Sequence, residues 1–400
     1  MKFEVRKSPK PCPLCGKMES IIFFEETNIP CSCNQLWLTK AKAVNCPKGD
    51  IVLAFCPSCK FITNCALEPD KNQYNSMYDN SLFYSTHFQS FAEEFVAGLI
   101  KQYDLHNKTV MEITCGKVNF LSFFSTMGPN NTVKLSTLSN AGGKIINADA
   151  SSTPVIDGTL SSSEAQKIDF VFSYHELEHA NSPKGFLGLL RKKLGGNLET
   201  VIFLAVPNAL KAFDEGSFSD IIYEHVSYFT VPSLYFLFDC CGFRILDITE
   251  TKGGIFDSIY IVAQLKSPDT SSSKLDSALE TRRIGDAVLS FGMKSNEMLS
   301  KQTELLVQLL DQGKKIVVWG AGARGVTFLN LFGDPRVEYA VDINPRKQGK
   351  YVPGTGQKIV DPRFLLTYKP DFIVIANPAY EREIRKIVND LGVKTEFILI

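Results

Sequence analysis

Twice in this chain a short apolar run, of the kind that makes a buried strand, breaks into a glycine-bearing turn and then into helical spacing. The first is Lys-Thr-Val-Met-Glu-Ile-Thr-Cys-Gly-Lys-Val-Asn-Phe at 108–120, and the second is Lys-Lys-Ile-Val-Val-Trp-Gly-Ala-Gly-Ala-Arg-Gly at 314–325. A strand that is apolar on both faces needs helices on both sides, and this requirement points to open, largely parallel sheets. The pattern continues after each turn. NTVKLST, IDFVFSY, ETVIFLAV and IYIVAQL read as further strands of the first series, and VEYAVDIN, DFIVIAN and FILI as those of the second. SPKGFLGLLRKKL, VPSLYFLFDCCG and residues 89–104, with Phe91, Phe95, Val96, Leu99 and Ile100, carry helical spacing. The Ser-rich stretch KSPDTSSSK at 266–274 separates the series, and a helical pattern from Leu275 to Gln312 follows it. The expectation is an α/β protein with a Rossmann-like central domain (73–265), a linker and long helix (266–312), and a second, C-terminal Rossmann-like domain (313–400).

A separate module precedes them. Eight of the 11 cysteines lie in the first 65 residues. Cys12-Pro-Leu-Cys15 and Cys56-Pro-Ser-Cys59 are two knuckles that each turn a pair of sulfurs toward one point, and together they suit a tetrahedral zinc site. The wide spacing between them leaves room for a hairpin holding Cys31, Cys33 and Cys46. With Cys65 those three could hold a second metal, although their spacing is not diagnostic. A redox C-x-x-C pair is the competing reading, and reduced thiols without metal are the bland one. Residues 1–72 are thus expected to form a zinc-binding module.

Composition excludes several classes of function. Lys+Arg and Asp+Glu both total 43, so no net field favours nucleic acid or anionic lipid. No run approaches the roughly 18 apolar residues that span a bilayer, and the N-terminus lacks the apolar core of a secretory signal. A cytoplasmic protein, a monomer or small homo-oligomer without nucleic-acid or membrane partners, is expected.

Three clusters carry chemistry. Tyr223-Glu224-His225-Val226-Ser227-Tyr228-Phe229 packs an acid, an imidazole and two phenols into one loop after a buried strand, where ligands of open α/β sheets lie. His225 can take a proton near neutral pH, with Glu224 able to orient it. The bland reading is a loop histidine satisfied by backbone. Tyr174-His-Glu-Leu-Glu-His179 places His175 and His179 four apart, which on a helix would suit a metal; but the segment follows a strand directly and leaves little room for a helix. Gly320-Ala-Gly322-Ala-Arg324-Gly325, with Asp342 ending the next strand, has the context of a nucleotide fingerprint, which read alone suggests NAD.

The order of these features resembles the S-adenosylmethionine (SAM)-dependent C-methyltransferases that act on nucleotide-linked keto-sugars. It consists of two cysteine knuckles, the 112–121 loop, HELEH, YEHVSYF and GAGARG, and it covers nearly the whole chain. The resemblance implies that His225 is the base that removes a proton beside a sugar ketone, with Glu224 and Tyr223 positioning it or the sugar. It implies that Tyr78 or Tyr84 serves the sugar pocket and that His175 and His179 border the methionine end of SAM. It also implies that Gly320, Gly322, Arg324, Gly325, Asp342 and Lys347 belong to the sugar-nucleotide side of the cleft, where Lys347 and Lys350 could meet a diphosphate.

The cofactor loop departs from that pattern. Glu112 and Gly116 are in place, but Thr114 and Val118 stand where outer glycines are usual, and no acid occurs between Ile113 and Ala148 to bind ribose hydroxyls. Asp149 remains suited to the adenine amino group. A missing bidentate carboxylate removes hydrogen bonds of about 1.5–3 kcal/mol each, so SAM affinity is expected to be reduced, and a degenerate, non-catalytic sugar-nucleotide binder is the first rival reading. A nicotinamide enzyme using the C-terminal fingerprint is the second.

Overall fold

In the computed structural model, the residues described are 5–71, 75–114, 120–128, 130–136, 167–251, 255–267 and 278–400. They form three sheets. The first is antiparallel, with β1 (Arg6–Lys7), β2 (Ile21–Pro30), β3 (Lys48–Phe55), β4 (Ile62–Asn64) and finally β9 (Ser227–Tyr228). The loop between β2 and β3 carries Cys31, Cys33 and Cys46, as the spacing predicts. The module does not close at residue 72, however: its fifth strand comes from the YEHVSYF segment, through the pairs Ile62–Tyr228 and Thr63–Ser227.

The second sheet has the order β10-β11-β8-β7-β5-β6, with β5 (Thr109–Ile113), β6 (Thr132–Ser136), β7 (Phe170–Tyr174) and β8 (Val201–Pro207) parallel. β11 (Ser258–Leu265) runs antiparallel between β8 and β10 (Phe243–Glu250). β7 is buried at all five positions, which its two-sided apolar sequence requires. The helix Thr86–Tyr103 covers one face, with Phe88, Ala92, Val96 and Leu99 turned inward at helical spacing. Ser85 caps its start and Asp104, left-handed at φ 47°, ends it. The helix Val231–Cys240 starts with a capping box between Thr230 and Ser233 and packs on the other face through Leu234, Leu237 and Phe238.

The third sheet is parallel throughout, ordered β14 (Lys358–Val360), β13 (Tyr339–Val341), β12 (Ile316–Trp319), β15 (Phe372–Ile375) and β16 (Glu396–Leu399). The long helix Ala278–Asp311 is no free spacer. Ile284, Val288 and Phe291 pack on the first sheet and the helix Ala209–Glu215, where Phe291 lies 5.2 Å from Phe24 and 4.8 Å from Phe213 between ring centroids. Further along, Leu306 and Leu310 join the core of the third sheet.

Polar contacts draw the three parts around one cleft. Arg324 Nε and Nη2 hold the two oxygens of Asp220 at 2.7 and 3.0 Å. Asn344 donates to the fully buried Asp79 at 3.0 Å, and Arg346 pairs with the same carboxylate at 2.7 Å. Glu383 accepts from Ser85 Oγ and from the backbone and hydroxyl of Thr86, so a C-terminal carboxylate sits on the first turn of the helix Thr86–Tyr103.

Candidate active site at the junction of the three parts

The two cysteine knuckles fold alike. Gly16 N–H donates to Cys12 C=O and Lys60 N–H to Cys56 C=O, both at 2.8 Å, and Gly16 and Lys60 are both left-handed, at φ 78° and 60°. Cys12 and Cys59 Sγ lie 3.6 Å apart and Cys15 and Cys56 Sγ 3.5 Å, with all four within 4.8 Å of one another. Zinc–sulfur bonds of about 2.3 Å require tetrahedral edges of about 3.8 Å, so these four residues fit a structural zinc ion. Cys31, Cys33, Cys46 and Cys65 bring no three sulfurs to one point among the described residues.

The second knuckle leads straight into β4, and β4 fixes the chemical loop. Asn64 N–H and Thr63 Oγ1 donate to Val226 C=O at 3.0 and 2.9 Å, and Val226 N–H donates to Glu178 C=O at 2.9 Å. The HELEH and YEHVSYF segments are thereby held side by side, HELEH as a single 3-10 turn over Leu177–His179.

Both face a cavity of 730 Å³ walled by all three parts of the chain. His225, Glu224, Tyr78, Tyr84, His175 and His179 line it from the module and central domain. Gly320, Gly322, Arg324, Gly325, Asp342 and Lys347 line it from the C-terminal domain. Tyr223 does not reach it. The ring is fully buried against the first sheet, where its hydroxyl oxygen accepts from Glu68 N–H at 2.9 Å, and this placement removes the basis for a role on the sugar. Gly116 and Asp149 lie outside the described residues.

Glu224 is also fully buried, yet lines the cavity. It accepts from Cys33 N–H at 2.9 Å and from Tyr78 and Ser32, and burial raises its carboxyl above the usual range. Tyr78 is therefore the tyrosine coupled to the loop, whereas Tyr84 is 41% exposed. Burial pushes the His225 imidazole well below its ordinary value, His179 to about 4 and His175 to about 3, so all three are neutral at pH 7. His179 Nδ1 lies 3.1 Å from Glu224 C=O, an atom that only accepts; Nδ1 must carry the hydrogen and Nε2 the lone pair. His175, at φ 55°, stacks on Tyr174 at 4.3 Å and bonds Ser258 Oγ through Nε2 at 2.9 Å. The sulfur-free histidine pair of the sequence, His175 with His179, is thus split: His179 meets His225 instead, with ring centroids 4.9 Å apart.

Several cavity residues escape sequence reading. Tyr380 lines the cavity and has a buried hydroxyl with no partner among the described residues. Its only sequence signal is position after a strand. Asp220 gives none, because its partner Arg324 lies 104 residues away.

The C-terminal turn differs from the nucleotide reading in one respect. Asp342 accepts from Ala321 N–H at 2.9 Å and from Asn344 N–H at 2.8 Å, so its oxygens brace the turn. Lys347 is buried and donates to Ala321 C=O at 2.9 Å and Asn34 Oδ1 at 3.2 Å, a tether rather than an exposed point charge. What remains open is the helix start itself: Gly322 precedes the helix Ala323–Phe332 with no side-chain cap, and both border the cavity.

On the cofactor side, Glu112 is buried at the end of β5 and accepts from Phe120 and Leu121 N–H, all at 3.0 Å. It returns the chain from the loop to the helix Leu121–Met127. Thr114 Oγ1 donates to Glu176 at 2.8 Å beside it. The strand end, acid and helix start therefore keep the frame of a SAM loop.

A six-stranded sheet of this order, parallel except for one strand beside its edge and covered by helices, defines a class I methyltransferase domain. The comparisons with known proteins agree: residues 84–248 match the family described as methyltransferase domain, and residues 251–399 the family described as C-methyltransferase C-terminal domain. The chain thus joins these two domains in the order that its motifs imply, behind the cysteine module. C-methyltransferase NovU of Streptomyces niveus is 26% identical over 194 residues, which are 46% of either chain; the match spans less than half of that relative. Among solved structures, a SAM-dependent methyltransferase of Aquifex aeolicus aligns at 16% identity, covering 42% of this chain and 88% of its own, with a TM-score of 0.29. A Burkholderia thailandensis 1,6-didemethyltoxoflavin-N1-methyltransferase aligns at 13%, covering 46% and 86%, with a TM-score of 0.31. Neither score adds to the fold read from the strands themselves.

Proposed function

We propose that this protein is a SAM-dependent C-methyltransferase acting on a carbon beside the ketone of a nucleotide-linked sugar. The observation that carries the proposal is a half-buried His225 facing a cavity that has the methyltransferase sheet edge on one side and the uncapped GAGARG helix on the other. When bound, SAM supplies an electrophilic methyl group. His225 takes the proton from the sugar carbon, and Glu224, held by Cys33 and Tyr78, fixes the backbone that carries it. The enolate oxygen that results needs a hydrogen-bond donor, and the unpartnered hydroxyl of Tyr380 is suited to that. Free backbone N–H groups at Gly322–Arg324 suit the anionic linkage of the nucleotide.

The test is His225→Gln with a panel of nucleotide-linked keto-sugars. Methyl transfer and exchange of the sugar α-proton with deuterated water should both fall by about 100-fold or more, while SAM affinity stays unchanged. Transfer that survives the substitution removes His225 as the base. A folded wild-type protein that binds the sugar nucleotide but gives no calorimetric heat with SAM supports the non-catalytic rival instead.

A further inference from the structure

Glu178 is the most anomalous group in the cavity wall. It is 2% exposed, and no other described residue hydrogen-bonds its carboxylate, which meets only its own backbone N–H. A buried carboxylate left in that condition costs several kcal/mol unless a proton or a cation joins it. One ligand atom each from Glu178, His179 and His225 lies within 4.8 Å of the others. Neither imidazole comes within ion-pair reach of the carboxylate, so a cation with bonds of about 2.1 Å would have to draw the three donors inward, toward tetrahedral edges of about 3.4 Å. The orientation agrees. His179 donates its Nδ1 hydrogen to Glu224 C=O, the backbone-carbonyl contact that commonly fixes a metal-ligating imidazole with Nε2 forward.

We infer that Glu178, His179 and His225 form a second metal site, for a borderline divalent cation such as zinc, cobalt or iron(II), separate from the four-cysteine cage. Two nitrogens and one carboxylate oxygen select such ions over magnesium or calcium. All three residues line the cavity, so the remaining coordination positions open toward whatever ligand it holds. Geometry alone supports the site, whether or not the methyl-transfer reading stands. The two are linked in one respect: a cation on the His225 lone pair removes it as a base, so occupancy of this site would switch off proton abstraction.

The experiment uses the full chain with one zinc retained per molecule, dialysed free of loose metal and titrated with Co2+. The expected result is one further equivalent bound, with visible d–d absorption and without the intense thiolate charge-transfer band that cobalt in the cysteine cage would give. Glu178→Gln and His179→Gln should each weaken that equivalent by about 100-fold or more, since even outer partners of a metal ligand matter by about 10- to 100-fold. Zinc content and the far-ultraviolet circular dichroism of each variant verify that it has folded. Bound Co2+ should also protect His179 and His225 from acylation by diethyl pyrocarbonate. No second equivalent, or one that Glu178→Gln leaves unchanged, overturns the site. Loss of methyl transfer in His225→Gln without loss of a second equivalent in wild type leaves each conclusion separately decided.

Discussion

At the scale of single residues, this protein sets acids where its chain must turn, Glu112 buried and Asp342 partly so. Glu112 holds the start of the helix Leu121–Met127 with both oxygens, and Asp342 does the same for the GAGARG turn. Burial pushes the Glu112 carboxyl from its ordinary 4.5 up to about 8, against the pull of the N–H groups of Phe120 and Leu121. The folded state therefore keeps a proton that the unfolded chain releases, so the contribution to stability is full below about pH 4.5 and is lost as pH rises through about 8. Glu112→Gln, which cannot ionise, should remove that slope, a difference of at most about 4–5 kcal/mol between the two ends of the window. Urea midpoints measured across pH 4.5–8.5 check it, and parallel curves for both proteins would contradict it. The two acids looked alike in sequence, each at the end of an apolar strand. Their role as braces was not legible there, because a carboxylate's partners are backbone groups that only the folded turn presents.

At the scale of elements, the GAGARG turn shows why its glycines are not interchangeable. Gly320 is left-handed at φ 106°, a conformation that favours glycine. Gly325 meets a different limit, since a Cβ there would lie 1.8 Å from Gly320 C=O. Gly325→Ala should force strand β12 and the helix Ala323–Phe332 apart and destabilise the C-terminal domain by about 2–3 kcal/mol, visible as a lowered thermal transition. An unchanged transition would mean that the turn has room the backbone spacing denies. Most strands and helices follow from periodicity alone, and the strands KTVMEIT, IDFVFSY and ETVIFLAV lie where their apolar runs predict. β9 and β14 escaped because strands of two or three residues carry no period to read.

At the scale of the whole molecule, the cysteine cage and the His225 loop are one mechanical unit. The knuckle Cys56–Cys59 continues through Phe61 into β4, β4 pairs with Ser227–Tyr228, and His225 lies two residues before that strand. Structural zinc contributes on the order of 10 kcal/mol or more to the fold that holds it. Removing it with a strong chelator should therefore release one zinc and lower methyl transfer by at least about tenfold, even though the cage is no part of the chemistry. Elemental analysis beside the transfer assay reads both, and transfer that persists in metal-stripped protein would separate module from loop. Added substrate should not restore the activity, because what fails is the backbone frame of His225 rather than its affinity for a ligand.

The two αβ series, the cysteine knuckles and the general location of the site were all present in local patterns, because helical and strand periodicity and turn chemistry act over a few neighbours. Tertiary structure decided which members of each cluster work together. It turned Tyr223 into the core and Tyr78 onto Glu224, tied His175 to Ser258, and brought His179 and Glu178 to His225. It also bound Arg324 to Asp220 across the cleft. These pairings depend on how the three parts of the chain meet, and positions far apart along the chain carry no mutual signal in a single sequence.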